Sequence, residues 1–234
     1  MRRGFCLEVS GRLACFTRQD LRTERVSYDV ITPSAGRGVF QAILWTPFIA
    51  WQITRIEVLA PIRWMSIRRN EGIPKAAPSS AGVFIEDVHQ QHCSLLLRDV
   101  VYRLFAEFTL IPLEKHSKAN NPVPRYLRGA SEVKEHESST KLSAADEAKY
   151  VKMFARRASK GQCFNQPYLG CREFSAAFRL VDPDTEPATP IKETRDLGWM
   201  LYDFDYSRPG KPKPQFFHAV MKDGVIDLQN VEVH

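Results

Sequence analysis

Several things are missing from this 234-residue chain, and each absence narrows the reading. Its five cysteines, Cys6, Cys15, Cys93, Cys163 and Cys171, include no CxxC pair, which argues against a structural zinc site. The N-terminus, MRRGFCLEVSGRL, has charge but no continuous apolar core, so no secretory leader is expected. No apolar run approaches the length of a membrane span. An odd cysteine count without a leader points to a reducing cytoplasm. There is no GxxxxGK[ST] phosphate loop: the GRG of TPSAGRGVFQAILWTP (32–47) is a GxG without a third glycine.

What is present is an ordinary soluble composition, 44% hydrophobic and 26% charged, with a net charge of +6. The basic excess favours a polyanionic partner, most simply a nucleic acid. The 32–47 stretch reads as a helix over 33–45: Thr32 caps it, Pro33 sits at its first position, Ala35, Val39, Ala42 and Ile43 form an apolar stripe, and Pro47 ends it. Gly36 and Gly38 weaken the first turns by roughly 1 kcal/mol each relative to alanine. Two explanations stand: close packing on a sheet, or approach of a phosphate backbone to the helix N-terminus with Arg37 pairing to it.

Strands are expected at 5–10 and 13–16, paired around Gly11, then at 51–60, 62–68, 83–87 and 99–111. Residues 112–143, rich in Pro, Asn, Ser, Lys and Glu, read as a polar insertion. A second helix fits 144–160, with Ala148, Val151, Phe154, Ala155 and Ala158 inward and Lys149, Lys152, Arg156 and Lys160 outward. Short strands follow in FNQPYLGCREF, SAAFRLV, GWMLYDFDY, QFFHAVM and GVIDLQ, and MKDGV is an Asp-Gly hairpin turn. This order predicts an α+β chain: a β-α-β-β-α-β ferredoxin-like unit of the RRM type over 1–180, carrying the insertion, with a small antiparallel sheet added over 181–234.

Arg22, Arg25, Tyr28, Arg68 and Arg69 interleave basic groups with an aromatic, a mixture suited to single-stranded RNA as well as to a plain solvated surface. His89, His92 and Cys93 would meet on one face of a helix, but no third metal ligand is evident. Lys115-His116 has acid–base chemistry but lies in the polar insertion. Asp203 and Asp205 alternate with aromatics as on an exposed strand face.

Taken in order, ERVSYDVITPSAGRGVFQAILWTP, SIRRNE (66–71), EDVHQQHCSLLLRDVVYR, KGQCFNQPYLGCREF (160–174) and RDLGWMLYDFDY resemble the family-five CRISPR-associated protein of subtype I-C, a RAMP-superfamily member. The resemblance spans most of the chain outside 112–143. It implies a subunit of the Cascade surveillance complex that grips the 5′ handle of the crRNA, beside backbone and large subunits, with target DNA as a further candidate partner and no membrane. It also implies cleavage of the precursor RNA without metal or other cofactor, by attack of a ribose 2′-OH on the adjacent phosphate.

The family's catalytic groups transfer one at a time. The position before the helix tryptophan, a tyrosine or histidine in the family, is Leu44 before Trp45 here. The Lys-His pair that precedes the Lys-Gly-Gln turn matches Lys149-Tyr150. Lys149 would stabilise phosphorane charge and Tyr150 would donate a proton. His116 is a third candidate if the insertion folds over the site. The expected RNA surface is Arg25, Tyr28, Arg37, Arg68, Arg69, Asn70, Gln90, Gln91 and Arg172, with His92 able to contact phosphate when protonated. Gly170 and Cys171 are expected to be packing residues. The alternative is a subunit that caps the crRNA 5′ end without cutting it.

Overall fold

The computed structural model describes residues 4–21, 24–72, 89–111, 144–205 and 212–234. The strand expected at 83–87, the insertion at 112–143 and His116 lie outside them.

The elements in chain order are β1 (Gly4–Ala14), β2 (Arg25–Val26), α1 (Pro33–Ile43), β3 (Ile49–Val58), β4 (Trp64–Gly72), β5 (His89–Leu110), α2 (Ala144–Ser159), β6 (Ala177–Val181), β7 (Arg195–Asp205), β8 (Lys213–Met221) and β9 (Val225–Asp227). The chain is thus α+β, with a mostly antiparallel main sheet in the order β6-β1-β5-β3-β9 and a second sheet of β7 and β8. β5 organises the main sheet. Its later part runs antiparallel to β1 and β3, with Leu7 opposite Leu104 and Ile56 also opposite Leu104. Its earlier part pairs with β4 and, in parallel, with the short β2. The two parts meet at Asp99, a non-glycine residue in the left-handed region (φ 53°).

α1 begins as its capping chemistry dictates. The Thr32 hydroxyl accepts from the Ala35 N–H at 3.3 Å, and Pro33 follows. Val39, Phe40 and Ile43 are buried on the sheet. Phe154 of α2 joins Phe5, Phe40 and Trp51 in one aromatic cluster, its ring centre 4.6 to 5.6 Å from each of theirs. Such ring pairs stabilise by roughly 0.5–1.5 kcal/mol beyond area burial. The opposite sheet face is a charged lattice. Glu8 accepts from Arg179 and Arg103, Arg55 pairs with Glu57, and the Arg55 guanidinium lies 4.8 Å from the Phe105 ring centre.

Four expectations need correction. The strand pair around Gly11 is one strand, β1, held straight by β5. The strand expected from 99 begins ten residues earlier, so His89 and His92 lie on a strand rather than on a helix. FNQPYLGCREF is a loop closed by the bridge Tyr168–Ser175 rather than a strand. The C-terminal stretch does not remain apart: after the Asp223-Gly224 turn (φ 46° and 74°), β9 returns to the main sheet beside β3.

Candidate nucleic-acid interface

α1, two loops and the second sheet enclose a groove of about 690 Å³. Helical spacing turns Ala35, Gly38, Gln41 and Ala42 toward it, and Trp45 joins them from just beyond the helix end. Phe16, Thr17 and Gln19 come from the loop after β1, Leu201 and Phe204 from β7, and Phe164, Asn165, Gln166, Pro167, Tyr168 and Gly170 from the loop after α2. Among the described residues, none that lines the groove carries a charge. Instead, aromatic rings alternate with side-chain amides, and Phe164 stands 77% exposed at the rim. Amides offer both a donor and an acceptor, and rings offer stacking faces, so the lining suits a nucleobase better than a phosphate.

The two helix glycines divide between the two explanations. A Cβ on Gly36 would sit 3.4 Å from Ile53, so Gly36 faces the sheet and serves packing. A Cβ on Gly38 would meet nothing within 4 Å, and Gly38 lines the groove.

The 164–170 loop is held by its backbone. The N–H groups of Phe164 and Asn165 donate to the Ala42 carbonyl at 2.8 and 3.2 Å, capping the end of α1, where Arg157 also donates to the Ile43 carbonyl at 3.1 Å. The Gln166 side chain donates to the Ala176 carbonyl at 2.9 Å, and the Cys15 N–H donates to the Leu169 carbonyl at 3.0 Å. Gly170 takes φ +83°, and a Cβ there would lie 1.9 Å from the Cys15 carbonyl oxygen. As expected, Gly170 is a packing residue.

The sequence-predicted residues fall into three places. Arg25, Arg69 and Arg172 gather at the 171–174 turn. Arg25 lies 3.4 Å from Glu173, Arg69 hydrogen-bonds the same carboxylate, and the Arg69 guanidinium covers the Phe174 ring at 5.4 Å. The bond from Arg69 holds the Glu173 carboxyl below the usual carboxylate range. Arg68 and Gln91 are exposed on the other face of the β4–β5 ribbon, where Asn70 stands opposite Gln91. The side chains of Asn70 and Gln90 lie outside the described atoms. Arg37 leaves α1 next to Gly38 and bonds Asp203 of β7 at 2.6 Å.

Two tyrosines need correction. Tyr28 is 2% exposed with the Arg18 guanidinium 5.1 Å from its ring centre, so its faces are covered rather than open to a base. Tyr150 is 1% exposed because it shares the inward stripe of Phe154 and Ala158 at helical spacing. Leu44 is buried as well, its carbonyl accepting from the Trp51 indole at 3.0 Å. Lys149 is exposed on α2. It stands eight residues, about 12 Å along the helix axis, before Arg157, whose side chain bonds the Ile43 carbonyl. Among the described residues no group of three His, Cys, Asp or Glu side chains is arranged to hold a metal, and no helix is long and apolar enough to cross a membrane.

Gln41, Phe164, Asn165 and Tyr168 were not singled out by the sequence. For Phe164, Asn165 and Tyr168 the signal available was the aromatic–amide run FNQPY; for Gln41 it was the helical spacing from Gly38.

The molecule is therefore an α+β protein whose distinguishing site is an uncharged aromatic groove with arginines close by. It belongs to the Cas5 family of CRISPR-associated proteins, subtype I-C: the family model described as CRISPR-associated protein (Cas_Cas5) matches residues 4–229. A Mannheimia succiniciproducens protein named CRISPR pre-crRNA endoribonuclease Cas5d is 40% identical over 240 residues, covering 95% of this chain and 93% of the relative. A Thermus thermophilus protein of the same name is 34% identical, covering 95% and 90%. Among solved structures, one titled as a CRISPR-associated protein superposes with a TM-score of 0.65 at 23% identity, covering 100% of this chain and 98% of the other. A chain from a CRISPR RNA-guided surveillance complex superposes at 0.52 with 14% identity, covering 99% and 89%. At these identities the structural likeness concerns the fold.

Proposed function

We propose that this chain binds the 5′ handle of a crRNA and cuts the precursor within its repeat, as a cytoplasmic subunit of a Cascade-type surveillance complex. The observation that carries the binding half is the uncharged groove of aromatic rings and amides beside Arg37. The names of the two full-length relatives support the cleavage half. The RAMP form of the ferredoxin-like unit fits the strand order β6-β1-β5-β3, in which α1 links the parallel pair β1 and β3 with β5 between them. Backbone and large subunits, and target DNA, are the partners this reading supplies.

In the groove a base stacks on Phe164 or Tyr168 and hydrogen-bonds to Gln41 or Asn165. Its phosphates run outward past Arg37 and toward the arginines at Glu173. Arg68, Gln91 and Arg172 extend the same surface. Cleavage transfers the 2′-OH proton to a base as the 2′ oxygen bonds phosphorus. The 5′ oxygen then leaves with a proton, giving a 2′,3′-cyclic phosphate and a 5′-hydroxyl. Lys149, exposed and cationic, is the group that would stabilise the phosphorane.

One observation favours a second reading, a subunit that caps the handle without cutting. At the two other positions the family uses for acid–base work, Leu44 and Tyr150 are both buried. The deciding experiment is incubation of an end-labelled cognate repeat RNA with purified protein in EDTA, beside Lys149→Ala. A single cut that disappears in the variant supports the nuclease. A cut that survives in Lys149→Ala and is lost in His116→Ala moves the catalytic site to the insertion. Tight handle binding with no cut establishes the capping role.

A further inference from the structure

The outward face of the β7–β8 sheet carries a ring cluster that the groove does not use. Met200, Phe217, Ala219 and Met221 fill the inward face. Trp199 points away from them and is 53% exposed. His218 stands opposite it on β8, with ring centres 5.8 Å apart and planes at 78°. His234 adds a second imidazole at 5.3 Å and 79°, and its backbone is fixed to Phe216 by hydrogen bonds of 3.0 and 2.9 Å. Each imidazole lies near an exposed carboxylate. Asp196 Oδ1 is 3.3 Å from His218 Nε2, and Glu232 Oε1 is 4.0 Å from His234 Nε2.

The chemistry of the cluster selects its occupant. An indole is the strongest aromatic acceptor of a cation, and two imidazoles stand edge-on beside it. The two carboxylates supply counter-charge for a cation and repel a phosphate backbone. On a chain of net charge +6 this patch therefore runs against the overall sign. We propose that Trp199, with His218, His234, Asp196 and Glu232, is a docking site for an arginine or lysine side chain presented by a partner protein. None of these five residues lines the groove, although the register sets Trp199 on the same face of β7 as Leu201 and Phe204, which do.

The test uses the full chain labelled with ¹⁵N, with the Trp199 indole N–H signal assigned by its loss in Trp199→Phe. A short alternating Arg-Gly peptide is expected to shift that signal, and a Glu-Gly peptide to leave it unmoved. Peptide affinity should fall about two- to fivefold in Trp199→Ala, the range for an exposed cation–π contact. Asp196→Asn combined with Glu232→Gln, which leaves all three rings intact, should weaken the peptide and flatten its salt dependence. An indole signal that the Arg-Gly peptide does not move overturns the proposal, as does unchanged affinity in both variants. A shift produced by oligouridine and not by the peptide also overturns it, and makes the face a nucleic-acid surface.

Discussion

Arg37 Nη2 lies 2.6 Å from Asp203 Oδ1, so the first helix and the second sheet are joined where their chain neighbours Gly38 and Phe204 line the groove. Asp203 also accepts from the Phe204 N–H at 2.8 Å, which aims its carboxylate. A phosphate passing Arg37 must share the guanidinium with this carboxylate. Removing the competing anion by Asp203→Asn should therefore tighten binding of a handle oligonucleotide and steepen its log–log salt dependence by about one unit. Arg37→Ala should weaken binding and flatten the slope. Anisotropy titrations at several salt concentrations read both. Equal slopes in all three proteins would make the pair a structural strut and nothing more.

Phe164 offers the cleanest separation of binding from folding. Its ring is 77% exposed, while its N–H holds the end of α1. Phe164→Ala keeps the backbone bond and removes a stacking face. Handle affinity should fall by about 1–3 kcal/mol, the usual cost of losing one base–aromatic stack. The urea midpoint should stay nearly unchanged. A large drop in midpoint with unaltered affinity would assign the ring to folding instead.

How much of this could be read in the chain depends on whether the cause was local. The start of α1 was legible because Thr32 and Pro33 act within one turn. Its end falls at Ile43 rather than 45, since Leu44 is already extended (φ −142°). The second helix and its cationic outer face were also legible from spacing. Tyr150 was misread because a motif position was weighed above the apolar stripe that contains it. β5 was hidden because its polar first part gains its strand character from pairing with β4. Beyond the run FNQPY, the groove left no local trace. Its walls come from four separate segments, and the loop in FNQPYLGCREF is shaped by the far-off Ala42 carbonyl as well as by the nearby one of Ala176.

Gly170 tests that loop. An alanine there combines a left-handed backbone with a Cβ placed 1.9 Å from the Cys15 carbonyl oxygen, so β1's end or the loop must move. The backbone strain alone costs about 1–3 kcal/mol. A loss of at least about 3 kcal/mol is expected, lowering Tm by about 6–12 °C for a chain of this size. Handle binding should weaken in the fraction that remains folded, because Gly170 and its neighbours line the groove. Calorimetry with a parallel binding titration checks both.

On the opposite face of the main sheet, Glu8 makes a stability prediction with a defined pH dependence. Its carboxylate accepts from Arg179 at 2.9 and 3.0 Å and from Arg103 at 3.4 Å, and the Arg103 side chain is almost wholly buried. The hydrogen bonds from Arg179, and then the one from Arg103, hold the Glu8 carboxyl below its ordinary value of 4.5. A carboxyl depressed in the folded state contributes fully above the unfolded value and loses that contribution as pH falls through the folded one. Glu8→Gln should therefore cost about 1–3 kcal/mol at pH 7, chiefly by leaving Arg103 buried without its counter-charge. The gap between the two proteins should narrow below pH 4.5 as the native carboxyl takes up its proton. Urea denaturation of both proteins across the acid range measures it. A gap that stays constant would show that Glu8 acts by shape and neutral hydrogen bonding, because only the charged form gains from the two guanidinium groups.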